Sequence, residues 1–307
     1  MKSNYRYIVK AFMAMAVIAG TTSCDDFLDR EPMSSISPET YYSTAAQLEA
    51  NLNDEYPNVL PSFGQWTYGI FGEDKGTDNQ IEVNANDRYT QDRWKVPHSE
   101  SDNWKFERIY RINFFLSEAL PKFGEDMSGS QNTISGSVAT IKHYIGEMYF
   151  LRAYEYFKKL QLFGDFPIIN QPLADEMEAL REASKRFPRN EVARFIISDL
   201  DKAYAYMSDV DMATTRINKD VAMLVKSRVA LFEATWLQNF KGTAFVPGGE
   251  GWPGASLHNN YQYPSGNIDN EVKYFLEQAV EASKLVADKY KGSLTENTGV
   301  LQQSADD

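Results

Sequence analysis

Residues 146–173 read GEMYFLRAYEYFKKLQLFGDFPIINQPL, and how this stretch begins and stops decides the fold. Leading into it and along it, Ile141, Ile145, Met148, Leu151, Phe157 and Leu160 keep mostly three- and four-residue steps, the spacing of one helix face. Gly164 and Pro167 end the pattern. A residue ahead of a proline is pushed out of helical backbone angles, so Asp165-Phe-Pro-Ile-Ile169 is expected to run extended. The reading is a long buried helix closed by a sharp turn.

The same period recurs on either side. Ser37-Pro-Glu-Thr40 reads as an N-cap with proline at the first helical position, starting a helix through Tyr41, Leu48 and Leu52. Further helices are expected over 102–123, 137–163, 189–207, 218–240 and 269–290. RAYEYF from Arg152 and RVALFEATW from Arg228 echo each other in the second helices of two pairs. Repeated helix pairs joined by loops predict a mainly α fold of irregular tetratricopeptide-like pairs, the usual unit of about 34 residues being stretched by inserts. The helix over 269–290 opens a third pair. Residues 292–307, GSLTENTGVLQQSADD, are polar and lack helical period, so the fold is expected to be incomplete at the C-terminus. That last helix should expose apolar surface and fray or self-associate.

Two segments interrupt the helices. Over 53–101, Pro57, Pro61, Gly64, Gly69, Gly72, Gly76 and Pro97 mark a loop-rich capping excursion, and Trp66, Tyr68, Phe71, Tyr89 and Trp94 argue against disorder. Over 241–267 lies a second stretch rich in glycine and aromatics.

With 307 residues and 43% hydrophobic composition, the chain has ample material for a core. Residues 1–23 carry Lys2, Arg6 and Lys10 and no acid, then an apolar run from Ala11 to Ala19 and the small residues Gly20-Thr-Thr-Ser23, the pattern of a secretory signal. The apolar run is shorter than the roughly 18 residues a spanning helix needs. Cys24 follows at once and is the only cysteine, as expected for an acyl acceptor. The alternative is an ordinary signal with an incidental cysteine. Loss of the signal's 3 cations takes the net charge from −12 to −15, a balance that disfavours nucleic acid and anionic lipid headgroups as partners.

Two motifs carry a resemblance. Gly146-Glu147, Phe150-Leu-Arg-Ala153, Tyr156-Phe157 and Phe163-Gly-Asp-x-Pro167 form the first. The second follows the acidic start after Cys24: Phe27-Leu-Asp29, Glu31-Pro32, Ile36-Ser37 and Glu39-Thr-Tyr-Tyr42. Together they resemble the SusD/RagB family of outer-membrane nutrient-binding lipoproteins over about residues 24–240. One departure is Thr21, where such lipoprotein signals usually carry leucine. The resemblance implies a single helical-repeat domain over 24–307 after a tether at 24–36, lipid-anchored at Cys24 and facing outward from the outer membrane. It further implies binding of an oligosaccharide or another nutrient, and handover to a TonB-dependent transporter of the SusC type. Alternatives are a tetratricopeptide scaffold that binds protein, or a surface glycosidase.

The chemistry-bearing residues favour a binder. His98, His143 and His258 lie in unrelated segments without metal-ligand spacing, so no metal or cofactor is expected. Gly249-Glu-Gly251-Trp-Pro-Gly254 fits GxGxxG but has no flanking strand and helix, and no GxSxG elbow exists. Glu73, Asp74 and Asp78 near Trp66 and Trp94 are the one carboxylate cluster a glycosidase reading can use, and Asp74, Asp78 and Asn79 the one calcium candidate. Trp104 and Trp236 fall on apolar helix faces and read as core. Trp66, Trp94 and Trp252 lie in glycine-rich loops. A sugar needs an aromatic plate and planar polar groups, so the glycan-binding candidates are Trp66, Asn84, Arg88, Tyr89, Trp94 and Trp252, with pinning of the loops onto the helices as the alternative for each ring.

Overall fold

A computed structural model describes residues 41–61, 103–124, 126–208, 212 and 215–293. Among them are seven α-helices and no strand: α1 Ala45–Val59, α2 Glu107–Phe123, α3 Val138–Phe163, α4 Met177–Ala183, α5 Arg189–Tyr206, α6 Lys219–Asn239 and α7 Ile268–Tyr290. None of these is long and apolar enough to cross a membrane.

The expected starts of α3, α6 and α7 hold because each is fixed by a side-chain cap. Ser137, Asn218 and Asn267 accept backbone N–H bonds from Thr140, Val221 and Asn270. The first expected helix does not run unbroken from Ser37 to Leu52. Residues 42–44 interrupt it, and Thr44 and Gln47 close a capping box that starts α1 afresh. The helix then continues to Val59, so the opening residues of the expected excursion are helical. Leu48, Leu52, Glu55 and Val59 form its buried face, and the acid at Glu55 hid that continuation from a hydrophobic pattern. The expected helix at 102 begins at Glu107 instead, leaving Trp104 outside it.

The described residues from Tyr42 onward belong to one compact unit. Within it α1 and α2 lie on α3, α3 on α5, α5 on α6 and α6 on α7, the last being the most extensive contact. The two expected pairs are thus fused into a continuous stack through α3 and α5. On α7, Phe275, Ala279, Ala282 and Val286 are buried, while Leu276, Val280 and Leu285 remain exposed.

Buried ion pairs cross the layers. Arg152 on α3 grips Asp199 on α5 with Nε and Nη2 at 2.6 and 2.8 Å. Its Nη1 donates to Asn113 Oδ1 and the Asn170 carbonyl at 2.9 and 3.1 Å. Arg189 grips Glu233 on α6, and Arg194 grips Glu271 on α7. Arg228, the sequence echo of Arg152, is exposed and takes no such part among the described residues. The repeat in the letters is not a repeat of that contact.

Candidate functional site: an aromatic cavity at the end of α3

Two Phe-Pro dipeptides bring two walls of a cavity together. Proline forces the residue before it into extended backbone, and Phe166 and Phe187 pair in an antiparallel bridge, each N–H donating to the other's carbonyl at 3.1 and 3.0 Å. The bridge brings the turn after α3, Gly164-Asp165, beside Arg186 and the first residue of α5, Arg189. A positive φ of 67° at Gly164 makes that turn possible. Loop residues 241–267 close the opposite wall. His258 Nε2 donates to the Arg186 carbonyl at 2.7 Å, and Tyr261 exchanges hydrogen bonds with Asn190.

The cavity is open on one side and has a volume of about 500 Å³. Its lining includes Asp165, Arg186, Arg189, Trp236, Phe245 and Trp252. Phe245 is 61% exposed, and Leu162 and Leu257 are also exposed, so apolar surface faces outward here. Trp236 is half-buried, contrary to its expected place in the core. Its Nε1 donates to the Phe245 carbonyl at 3.1 Å, and the Arg189 guanidinium lies 4.1 Å from its ring centroid. Trp104, also expected in the core, is half-buried as well. It lies at the edges of Phe106, Phe163 and Phe166, under the guanidinium of Arg186 at 4.6 Å.

Trp252 shows the reverse. It does not stand free in its loop, because it is 5% exposed and stacks on His258. A Cβ at Gly254 would come within 2.2 Å of the ring, so the loop backbone also covers it. Its Nε1 donates to Asp165 Oδ2 at 2.7 Å, and what it gives the cavity is part of a wall.

Electrostatics separate the polar groups. Burial pushes the Asp165 carboxyl above its ordinary value, against the lowering effect of the Trp252 and Arg189 N–H bonds it accepts. Burial likewise raises Glu233, with Arg189 opposing. Both Asp165 oxygens are engaged by the protein. Glu233 takes three contacts from Arg189 Nε and Nη2 at 2.9–3.2 Å. Arg189 Nη1 donates to nothing among the described residues. An aromatic cavity with an N–H donor that has no partner among the described residues is suited to hold a small polar ligand.

Of the sequence candidates, only Trp252 lies at this cavity. Cys24, Trp66, Asn84, Arg88, Tyr89 and Trp94 fall outside the described residues, as do Glu73, Asp74, Asp78 and Asn79. The sequence reading missed Asp165, Arg186, Arg189 and Phe245. The paired Phe-Pro dipeptides, flanked by Asp165 on one side and by Arg186 and Arg189 on the other, were the available signal.

Fold and cavity define a helical-repeat protein with a ligand-sized site at its loop-bearing end. The family model described as "Starch-binding associating with outer membrane" matches residues 26–231, and the chain belongs to this SusD-like family. Two SusD-like proteins of Formosa agariphila are each 25% identical to it, over 78% and 70% of this chain and 46% and 41% of their own. A crystal structure of a SusD-like protein from Bacteroides fragilis matches with a TM-score of 0.48 at 21% identity, over 69% of this chain and 39% of that one. The chain therefore spans less than half the length of the relatives it matches.

Proposed function

We propose that this chain is a lipoprotein of the outer-membrane surface, acylated at Cys24. It captures oligosaccharide and passes it to a TonB-dependent SusC-type transporter without bond chemistry. The observation that carries this reading is the family match across residues 26–231, whose description joins starch binding to outer-membrane association. The aromatic cavity supports it, since Phe245 offers an exposed plate and Arg186, Arg189 and Gln161 offer polar groups at its edge. Trp66, Asn84, Arg88, Tyr89 and Trp94 are proposed as further glycan contacts, with Trp252 shaping the wall.

Electrophoresis through gels loaded with starch and other glycans tests the reading. Retardation without released sugar is expected. Release of sugar would make the protein a glycosidase, and neither effect would leave a protein-binding scaffold. Replacing Cys24 with Ala should move the protein from the membrane fraction to the soluble one, and unchanged retention after peripheral partners are stripped would refute the anchor.

A further inference from the structure

We infer that the cavity at the end of α3 selects a sugar unit bearing a carboxylate, with Arg189 and Arg186 as its acid-binding groups. The inference rests on the glycan-binding reading and adds the class of sugar.

A guanidinium carries five N–H donors, each able to hold an acceptor. Arg152 shows what completion looks like in this fold, with every nitrogen engaged by protein. Arg189 is equally buried, at 3% exposure, yet its Nη1 has no partner among the described residues while the side chain lines the cavity. A Cβ added at Gly164 would sit 3.4 Å from that nitrogen, so this turn lets the chain pass Nη1 without a side chain over it. Arg186 lies on the same wall. It is exposed, forms no ion pair among the described residues, and is steadied by the Trp104 ring.

The acceptors nearby are already used. Asp165 receives Trp252 and the Arg189 backbone N–H, and Glu233 is held by Nε and Nη2 of Arg189. Among the described residues the walls therefore present guanidinium donors in excess of free carboxylate acceptors. A neutral hydroxyl meets one such donor, whereas a carboxylate with about four lone-pair sites can take Arg189 Nη1 and the Arg186 guanidinium together. Phe245 supplies the apolar plate for the C–H face of the same ring. With a net charge of −12 the chain does not attract anions at long range, so recognition of the acid occurs at contact.

The test titrates the full chain with trigalacturonic acid, with its methyl ester, which keeps the rings and removes the charge, and with maltotriose. The acid should bind at least about tenfold tighter than the ester. Arg186→Gln, at an exposed position, should erase most of that preference while leaving the melting temperature unchanged, and Arg186→Lys should keep part of it. Equal binding of acid and ester, or an acid preference untouched by Arg186→Gln, overturns the inference. If maltotriose binds and the acid does not, the inference falls while the glycan-binding reading stands. If no glycan binds, both fall.

Discussion

Arg152 and Arg189 are the same residue in nearly the same circumstances, and the difference between them separates structure from site. Each is buried and each grips a carboxylate on the next helix through Nε and Nη2. At Arg152 the remaining nitrogen is absorbed by Asn113 and the Asn170 carbonyl. At Arg189 it has no partner among the described residues and lies beside a cavity. An ion pair locks two helices in both places, and among the described residues only the Arg189 pair leaves a donor for the ligand proposed above.

The largest effects should come from breaking the shared part of this comparison. Arg152→Ala and Arg189→Ala each leave a buried carboxylate without its cation and should each cost about 3–5 kcal/mol by chemical denaturation. A loss confined to Arg152 would mean that the Glu233 pair is not structural.

The next effect isolates the cavity wall. Trp252→Phe keeps the ring packing but removes the N–H that Asp165 accepts, and should cost about 1–3 kcal/mol. A neutral result would show that water or a rearranged loop replaces this bond.

A smaller effect concerns pH. Because burial raises the Asp165 carboxyl, the folded state holds its proton above the ordinary value of 3.8, where the unfolded state has already released it. Stability from this group is thus lost as pH rises from that value through the raised one. Measured as a difference, the stability of the wild type relative to Asp165→Asn should fall across that window. A difference that grows with pH would mean that the hydrogen bonds to the carboxylate outweigh its burial.

The smallest effect sharpens the contrast from the side of the sequence. Arg228→Ala, at the position that echoes Arg152 in the letters but is exposed, should change stability by no more than about 0.5 kcal/mol. A cost comparable to that of Arg152→Ala would restore the echo as a structural repeat.

These residues also show what the sequence made legible. The long helix α3, its stop at Gly164 and the extents of α6 and α7 were readable because periodicity is local. Ion pairs such as Arg189–Glu233, 44 residues apart, were not, since no local pattern records which arginine meets which acid. The tryptophans exchanged roles for a related reason. Helical period places Trp236 on a face without saying what covers that face, and a loop ring such as Trp252 is buried by elements that come from elsewhere in the chain. Glu55 on the buried face of α1 misled the pattern in the other direction, ending a helix in the letters that continues in space. The resemblance carried by the two motifs supplied the family, which local physics alone did not.

The central claim is that glycan sits in the cavity between the end of α3 and the 241–267 loop. Hydrogen–deuterium exchange of the full chain, with and without a saturating oligosaccharide that retards it in a gel, tests this most directly. Slowed exchange is predicted together at 161–165, 186–189 and 244–257. Protection elsewhere, with these three segments unchanged at saturation, would contradict the account.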